Sequence, residues 1–561
     1  MFKASHFTDA AASGSERPLG AFAAPHRWRR SKAWRIGMDR SEGTSVCDGR
    51  IWNSGSKPVF SDVCCELTTQ YGEMLEEMRE TFDTGRTRCL AWRKQQLRQL
   101  IKMYAENHEQ IAQAVMADSG GTKLRAAGEL QPASCADECL ANIDSWARER
   151  WVGGLFDRQY VRPEPKGVML IISPWNVPWQ LTMRPLTTAI AAGNCVVMKP
   201  SELVPRCAEL MQQLVEKYLD PRCFRVVQGA IPETTALLNL RWDHILYTGN
   251  GHVGRIVMAA AAKHLTPVTL ELGGKSPVVV DETAKIDVAV KRIALMKWAI
   301  SGQICVNADY VFVHRSKEQE FLEKLKATVL SMTGEDGKGR ADDYGLIGSE
   351  KHVDRIEHLI STAGGTILCG GTEGIERENR FVPPTVIQRP NFDAPIMQEE
   401  IFGPVLPVFP NSHHDCLVLP HVQQEIPLAF YIFSESSRNV EKALNYIQSG
   451  GACVNTIFEH LLPETLPLGG LGESGMGAAP QRCLFSASDG WKGLREETFG
   501  AYHGKFGFDE FSHRRAVFVK STLPGMQGTM FPLPEAGKPS PDWLYSLLVT
   551  VIRVEGLKDS E

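Results

Sequence analysis

Short apolar runs alternate with helical patterns through the middle of this chain, and this alternation restricts its fold more than any other feature. The apolar runs have the length of single strands, and they lie at 167–172, 195–198, 224–227 and 244–247. Helical patterns over 186–192 and 207–218 separate them. Short apolar strands joined by helices are typical of a parallel sheet that is covered on both faces. The pattern therefore predicts an α/β fold with an open, Rossmann-like sheet.

A second series of the same signals follows. Its strand patterns lie at 277–280, 310–313 and 365–368, and its helical patterns at 286–300 and 318–330. A chain of 561 residues exceeds the usual size of one domain. We therefore predict two α/β domains, with the boundary at the Gly273-Gly274 turn.

The chain ahead of the first sheet divides into two parts. Residues 1–60 are rich in Ser, Ala, Gly and Arg and show little apolar periodicity, so we expect a disordered extension there, with a mitochondrial targeting segment as the alternative. Residues 66–149 show apolar residues three and four apart, which predicts helices. A turn-rich bridge is expected between Val152 and Val161.

Composition excludes several classes of protein. A net charge of −5 gives no basic surface that would indicate nucleic acid as a partner. The 14 cysteines are scattered, without the spacing of a metal site, and favour reduced thiols in a cytoplasmic compartment. The longest apolar segment, 543–552, is too short to cross a bilayer, although it could lie against a membrane surface.

Two residues in the stretch from Leu270 to Asp309 suggest catalysis. Cys305 follows glycine and an amide residue, which leaves room for a substrate to approach a nucleophilic thiol. Glu271 ends an apolar run before the Gly273-Gly274 turn, a place where α/β enzymes expose catalytic groups. Each residue has an ordinary alternative, because most cysteines are packed in a core and many strands end in a charge.

A glycine pattern suggests a nucleotide site. Gly249, Gly251 and Gly254 follow the strand pattern at 245–247 and precede a helical pattern over 255–262. Glycines at this spacing let a pyrophosphate approach the N-terminus of a helix. The motif alone is weak evidence.

Taken together, the motifs resemble those of the aldehyde dehydrogenase family, in particular its class 3 or fatty aldehyde branch. The matching stretches come in the order of the family, and they are Pro174-Trp-Asn-Val-Pro, Lys199-Pro-Ser-Glu, Thr248-Gly-Asn-Gly-His-Val-Gly, Glu271-Leu-Gly-Gly-Lys, Gly302-Gln-Ile-Cys, Glu400-Ile-Phe-Gly-Pro and Ala501-Tyr-His-Gly-Lys. The resemblance extends from about Leu67 to about Ser521. It implies a Rossmann-like NAD-binding domain, an α/β catalytic domain, and a small bridging element used for dimerisation.

The resemblance also implies a role for each site residue. Cys305 would be the nucleophile, Glu271 the general base for thioester hydrolysis, and Asn176 the amide donor to the oxyanion. The cofactor-binding positions implied are Lys199, Glu202, Gly249, Asn250, Gly254, Glu400 and Phe402. Because a carboxylate at Glu202 would repel a 2′-phosphate, NAD is favoured, with NADP as the alternative. No metal is expected, and the predicted partners are a small aldehyde substrate and a second copy of the chain.

The domain boundaries follow from these assignments. We predict an extension at 1–60, a cofactor-binding domain at 61–272 with a bridging segment at 150–163, a catalytic domain at 273–455, and a C-terminal return and arm at 456–561. Residues 478–500 separate motifs that are adjacent in the family, so they are either a surface insertion or an error in the gene model.

Three departures from the family pattern affect individual positions. Asn250 replaces a hydroxyl residue near the phosphate, Leu468 replaces an aromatic, and Asn307-Ala308 replace Ala-Pro. The last two were expected to reshape the acyl pocket. The competing functions are an acylating aldehyde reductase, which does not need a hydrolytic base, and a non-catalytic relative that keeps the fold.

Overall fold

The computed structural model describes residues 59–121, 126–153, 157–334, 344–411, 425–477 and 503–520. All of them belong to one compact unit that spans Gly49–Glu561. Nearly all of the predicted extension, the segment 478–500 and the apolar segment 543–552 lie outside the described residues.

Long helices precede the first parallel sheet, as predicted. They are α1 (Val59–Asp83), α2 (Leu90–Ser119) and α3 (Pro132–Trp146). Leu97, Leu100 and Ile111 recur at helical spacing on α2, and all three are buried. Short 3-10 helices lie at Arg86–Arg88 and Gly128–Leu130.

The bridge between Val152 and Val161, predicted as turn-rich, contains strands instead. The strands β1 (Arg150–Gly153), β2 (Arg158–Pro165) and β16 (Ser512–Val519) form an antiparallel sheet in the order β1-β2-β16. Strand β16 pairs with β2 along its whole length, from Ser512 opposite Pro165 to Val519 opposite Arg158. The partner of β2 lies at the far end of the sequence, so local patterns could not reveal this sheet.

The first predicted parallel sheet is present. Its strands are β3 (Val168–Ile172), β4 (Cys195–Lys199), β5 (Phe224–Val226), β6 (His244–Thr248) and β7 (Val268–Glu271), joined at one edge by β15 (Gly475–Met476). The order is β15-β7-β6-β3-β4-β5, with β3 to β7 parallel and β15 antiparallel. Its helices are α4 (Pro178–Ala192), α5 (Pro205–Tyr218), α6 (Ile231–Leu238) and α7 (Gly251–Ala262). The Rossmann-like prediction is confirmed.

The strand order creates a switch point in this sheet. From β3 the chain first adds β4 and β5 on one side, and then returns to add β6 and β7 on the other. The loops after β3 and β6 therefore diverge in opposite directions at the carboxyl edge, where open α/β sheets bind their ligands.

The second sheet is larger than the sequence pattern indicated. Its strands are β8 (Pro277–Val280), β9 (Tyr310–His314), β10 (Thr366–Cys369), β11 (Thr385–Gln388), β12 (Val405–Asn411), β13 (Ala429–Phe433) and β14 (Gly451–Val454). The order is β10-β11-β12-β9-β8-β13-β14, and β10 is the antiparallel member. The chain passes from the first sheet to the second between Glu271 and Pro277.

The remaining helices and short turns follow along the chain. The helices are α8 (Ile286–Trp298), α9 (Arg315–Thr333), α10 (Glu350–Thr362), α11 (Pro395–Gln398), α12 (Ser437–Tyr446) and, near the C-terminal strand, α13 (Gly504–Glu510). The 3-10 helices are Ala299–Gly302, Glu459–Leu461 and Gly472–Ser474. Among the described residues, we find no helix with the length and apolarity needed to cross a membrane.

Two predicted helices begin a full turn or more before their patterns indicated. Helix α4 begins at Pro178 rather than Leu186, because nearly every residue of it is buried and it lacks a polar face that would mark its start. Helix α7 begins at Gly251 rather than Arg255, so Gly251 and Gly254 of the nucleotide motif belong to its first turn, while Gly249 precedes the helix.

Candidate active site

Cys305 lies in a loop between α8 and β9 whose backbone is unusual. Ile300, Ser301 and Gly302 have φ angles of 51°, 52° and 76°, a left-handed conformation that L-residues rarely adopt. A Cβ atom on Gly302 would lie 2.2 Å from the carbonyl oxygen of Gly403. The chain therefore passes close to the 400–403 loop before it presents the half-buried Cys305.

The surroundings of Cys305 favour its neutral thiol. Burial, followed by the charges of Glu400 and Glu271, raises the pKa of Cys305 to about 12. The backbone N–H groups of Cys305 and Val306 act in the opposite direction and lower this pKa, because they donate toward the sulfur. Both carboxylates therefore lie within electrostatic reach of the predicted nucleophile.

Asn176 lies beside the Cys305 loop, in the turn that follows β3. Its Nδ2 atom donates to the carbonyl oxygen of Gln303 at 2.8 Å, and the side chain is buried. Gln303 is held in turn by the backbone, since its Nε2 atom donates to Leu346 O at 2.9 Å and its Oε1 atom accepts from Gly348 N at 2.9 Å. The amide of Asn176 is thus fixed, and one of its two N–H bonds is available to a substrate oxygen.

Glu271 ends strand β7 in a buried position. Its side chain is 3% exposed, and its Oε1 atom has no hydrogen-bond partner. Burial, and then the charge of Glu510, raises the pKa of Glu271 well above its usual value. A buried carboxyl oxygen without a partner is available to a water molecule or a substrate.

The loop after α11 brings Glu400 and Phe402 to the same place. A Cβ atom on Gly273 would lie 2.1 Å from Glu400 Oε2, so the carboxylate occupies space that glycine leaves open. Burial, and then the charge of Asp309, raises the pKa of Glu400 to about 8. Phe402 has a φ of 42° and packs edge-on against Trp175, with ring centroids 5.6 Å apart.

Lys199 and Glu202 lie at the carboxyl end of the neighbouring strand β4. The Lys199 Nζ atom is 3.8 Å from Glu202 Oε2 and donates to Pro200 O at 2.7 Å. Burial lowers the pKa of Lys199, whereas the charges of Glu202 and Glu233 raise it. Lys199 is buried and Glu202 is exposed, so the carboxylate is the group that a ligand would meet first.

The glycine motif forms the turn from β6 into α7. A Cβ atom on Gly249 would lie 2.2 Å from Tyr247 Oη, and one on Gly254 would lie 2.9 Å from Leu272 Cδ2. Gly254 therefore allows α7 to pack closely on β7. Asn250, which replaces a hydroxyl residue near the phosphate, caps α7: its side chain accepts from Val253 N at 2.9 Å.

The carboxyl edge of the first sheet fits a dinucleotide. Ser173 Oγ follows β3 and Thr248 Oγ1 ends β6, and both are buried hydroxyl oxygens without a hydrogen-bond partner. They flank the switch point at which the N-terminus of α7 begins. Open hydroxyls, glycines without room for a side chain and a helix N-terminus are suited to a phosphate-bearing ligand.

Sequence reasoning missed several residues of this region. The hydroxyls of Ser173 and Thr248 were not singled out, although both stand where an apolar strand ends. Lys275 and Asp309 were also missed, because nothing in the sequence shows that they contact each other. Asn307, expected in the acyl pocket, donates instead to the backbone of α8 at Lys297 O, 3.2 Å away. The Leu468 side chain is buried.

The structure thus brings the predicted residues to two adjoining places. Asn176 donates to the Cys305 loop, and Glu271 and Glu400 lie within electrostatic reach of the thiol. Lys199, Glu202 and the glycine turn lie along the carboxyl edge of the first sheet. Across the described ranges, no three His, Cys, Asp or Glu side chains form a group that could hold a metal ion.

Comparisons with known proteins show the family to which this chain is similar. The model of the aldehyde dehydrogenase family matches residues 53–486. The dimeric NADP-preferring aldehyde dehydrogenase of Rattus norvegicus is 40% identical over 457 residues, which cover 80% of this chain and 95% of the rat protein. Aldehyde dehydrogenase family 3 member A2 of Mus musculus is 40% identical over 455 residues, covering 79% of this chain and 87% of that protein.

A solved structure shows the same fold. The Staphylococcus aureus protein AldH, in a substrate-bound state, superposes with a TM-score of 0.75 at 33% sequence identity. The superposition covers 86% of this chain and 99% of that one.

Proposed function

Because this chain belongs to the aldehyde dehydrogenase family and is an NAD(P)-dependent, aldehyde-oxidising enzyme, we propose that Cys305, Glu271 and Asn176 carry its chemistry. The substrate proposed is an apolar aldehyde, fatty or aromatic, which is converted to the carboxylic acid. The observation that carries the assignment is the convergence of two carboxylates, Glu271 and Glu400, on the single thiol of Cys305.

Cys305 begins the reaction by attacking the carbonyl carbon of the aldehyde. The thiol must first lose its proton to solvent water, since the thiolate is the nucleophile. The sulfur–carbon bond that forms leaves negative charge on the carbonyl oxygen. The free N–H of the Asn176 amide and the backbone N–H of Cys305 would donate to that oxygen and stabilise the thiohemiacetal.

The cofactor is held at the carboxyl edge of the first sheet. Lys199 and Glu202 would bind its adenosine ribose, the turn from Gly249 to Gly254 its pyrophosphate, and Glu400 with Phe402 its nicotinamide half. When bound, NAD(P)+ accepts the hydride that leaves the substrate carbon, which converts the thiohemiacetal to a thioester.

Glu271 completes the reaction by activating water. Its raised pKa makes the ionised carboxylate a better base than an exposed glutamate, and its unpartnered Oε1 atom can accept the proton. The hydroxide formed attacks the thioester, and Cys305 leaves as the thiolate. A hydrolytic base in this position favours oxidation to the acid over acyl transfer to another thiol.

The acceptor follows from the exposed carboxylate at Glu202. We propose that NAD is preferred, since a negative charge beside the ribose repels a 2′-phosphate, while NADP is also accepted. The rat relative is named NADP-preferring, so the preference can change within this group of proteins.

A homodimer is proposed on the basis of exposed apolar residues. Trp151 and Phe518 lie on the three-stranded sheet with 65% and 58% of their side chains exposed. Apolar surface of this kind marks a protein contact. The rat relative is named as dimeric, which supports the same assembly.

The experiment that tests the proposed function is an assay of NADH formation with wild-type protein and Cys305→Ser. The panel of substrates runs from short to long aliphatic aldehydes and includes benzylic ones. Wild type should oxidise the longer and aromatic members, and Cys305→Ser should lose turnover while it still binds NADH, because a hydroxyl is a far weaker nucleophile. Activity retained by the variant, or a strict requirement for coenzyme A, would contradict the proposal.

A further inference from the structure

Three segments that carry the proposed active site are tied together by one ion pair. Lys275 follows Glu271 in the Gly-Gly-Lys turn, and Asp309 follows Cys305 at the start of β9. The Lys275 Nζ atom donates to Asp309 Oδ2, and the two side chains are only 16% and 5% exposed. The ammonium also lies over the ring of Tyr310, 5.5 Å from its centroid.

The same ion pair reaches the loop that carries Glu400 and Phe402. Lys275 Nζ donates to Ile396 O at 2.8 Å and to Glu399 O at 2.9 Å. Asp309 Oδ1 accepts from the backbone N–H of Ile401 at 2.9 Å. The ammonium and the carboxylate therefore satisfy backbone groups on either side of Glu400.

Arg355 of α10 supports this loop from another direction. Its Nη1 atom donates to Glu399 Oε1 at 2.9 Å and to Glu400 O at 3.3 Å, and its Nη2 atom donates to Ile401 O at 2.6 Å. The three carbonyl groups from Glu399 to Ile401 thus all accept from a cationic side chain.

Phe402 shows why so many contacts are needed. Its φ of 42° is a strained conformation for a residue with a side chain. Such a conformation persists only where the surroundings hold it in place, because the strain otherwise relaxes. The contacts of Lys275, Asp309 and Arg355 provide that support, and they do so within the residues that precede Phe402.

We propose that Lys275 and Asp309 form a clamp that holds Glu400 and Phe402 in a fixed position relative to Cys305. Through these two residues the clamp positions the nicotinamide half of the cofactor. The clamp makes no contact with the reacting atoms in this assignment, so its members are positioning residues. The proposal rests on the proposed function, since it assigns a role within the same site.

A clamp of this kind affects one half of the chemistry. Hydride transfer requires the substrate carbon and the nicotinamide to be aligned, and a displacement of about 1 Å can lower such a rate on the order of 10²-fold. Hydrolysis of an activated ester, by contrast, requires Cys305 to form an acyl-enzyme and Glu271 to hydrolyse it, without any cofactor. Loss of the clamp should therefore separate the two activities.

The test compares wild type, Lys275→Met, Asp309→Asn and a matched control, Lys324→Met. Lys324 forms exposed ion pairs with Asp287 and Glu320 outside the site. Each protein is assayed for aldehyde oxidation, for hydrolysis of p-nitrophenyl acetate without cofactor, and for the fluorescence of bound NADH. Melting curves monitor the fold.

Both clamp variants should lose on the order of 10²-fold in kcat/KM for NAD and keep most of their ester hydrolysis. They should still bind NADH, but with less enhancement of the nicotinamide fluorescence, whereas Lys324→Met should match wild type. An equal loss of oxidation and ester hydrolysis, or unchanged NADH fluorescence, would overturn the proposal. If wild type itself fails to oxidise aldehydes, the proposed function fails, and the NADH fluorescence still decides the role of the clamp.

Discussion

The carboxylates of Glu400 and Glu271 lie within electrostatic reach of the Cys305 thiol, and their negative charges make the thiol harder to ionise. Glu400 contributes more than Glu271 to the raised pKa of Cys305. A neutral thiol is protected from oxidation and alkylation, because the thiolate is the reactive form. The resting enzyme should therefore hold its nucleophile in a protected state.

Replacing Glu400 with glutamine should lower the pKa of Cys305 from about 12. The sign follows from charge: a nearby anion disfavours the thiolate, so its removal favours it. At a fixed pH of about 9, above the pKa of about 8 for Glu400, Cys305 should then react faster with iodoacetamide, which can be followed by mass spectrometry of its peptide. Glu202→Gln, at the exposed carboxylate beyond β4, is the control. An unchanged rate in Glu400→Gln would mean that this charge does not govern the thiol.

The sequence indicated candidate site residues, but it did not indicate the residues that support them. Cys305 and Glu271 stand in short motifs whose residue types indicate their chemistry. Lys275 and Asp309 are ordinary charged residues along the sequence, and only the packing of β8 beside β9 brings them into contact. Pairings of this kind depend on tertiary structure, so local patterns do not reveal them.

Helix α7 shows how one element connects sequence to cofactor binding. Its N-terminus points to the switch point of the first sheet, and its first turn contains Gly251 and Gly254. Asn250 accepts from Val253 N and so satisfies one of the free N–H groups of that turn. The other N–H groups of the turn remain available to phosphate oxygens.

Asn250→Ala should destabilise the protein by about 0.5–2 kcal/mol, the usual effect of losing a helix cap. It should also raise KM for NAD, because the first turn of α7 would fray. Asn250→Ser keeps a capping oxygen and is expected to behave like wild type. Melting curves of the three proteins measure the change in stability, and cofactor titrations measure the change in KM for NAD. Equal stability of Asn250→Ala and wild type would show that the cap contributes little.

Elements were predicted where periodicity was clear and missed where it was not. The strands β3, β4, β6, β8 and β9 are continuous apolar runs, which the sequence displays directly, whereas β11 to β14 were not predicted. Helix α4 is buried on every side, so its predicted start was misplaced. Strand β2 was missed because it is half polar and pairs with β16, which lies at the end of the described chain. Fold class follows from local patterns, but long-range antiparallel pairing does not.

The three-stranded sheet leaves apolar side chains exposed at both of its edges and on both of its faces. Phe518 lies on β16, an edge strand of the three-stranded sheet, and Trp151 lies on β1 at the opposite edge. Edge strands with exposed apolar side chains are suited to pairing with another chain. The division into domains at the Gly273-Gly274 turn stays a prediction, as do the roles of residues 1–60 and 478–500.

Phe518→Asp should convert the proposed dimer to a monomer. Because this side chain is exposed, the substitution removes little packing within one copy, and it places a charge in an apolar contact. Light scattering coupled to size exclusion gives the mass directly. Leu265→Asp, at a surface position that is 90% exposed, is the control and should leave the mass unchanged. A monomeric wild type, or a dimeric Phe518→Asp, would contradict the assignment of this face.

The central claim is that Glu271 acts as a base only after hydride transfer. Rapid mixing of Glu271→Gln with NAD and an aldehyde separates the two steps, since glutamine keeps the shape of the side chain but cannot accept a proton. We predict a burst of NADH close to one equivalent per site, followed by slow turnover as the thioester accumulates. Loss of the burst, or steady turnover equal to wild type, would contradict the account.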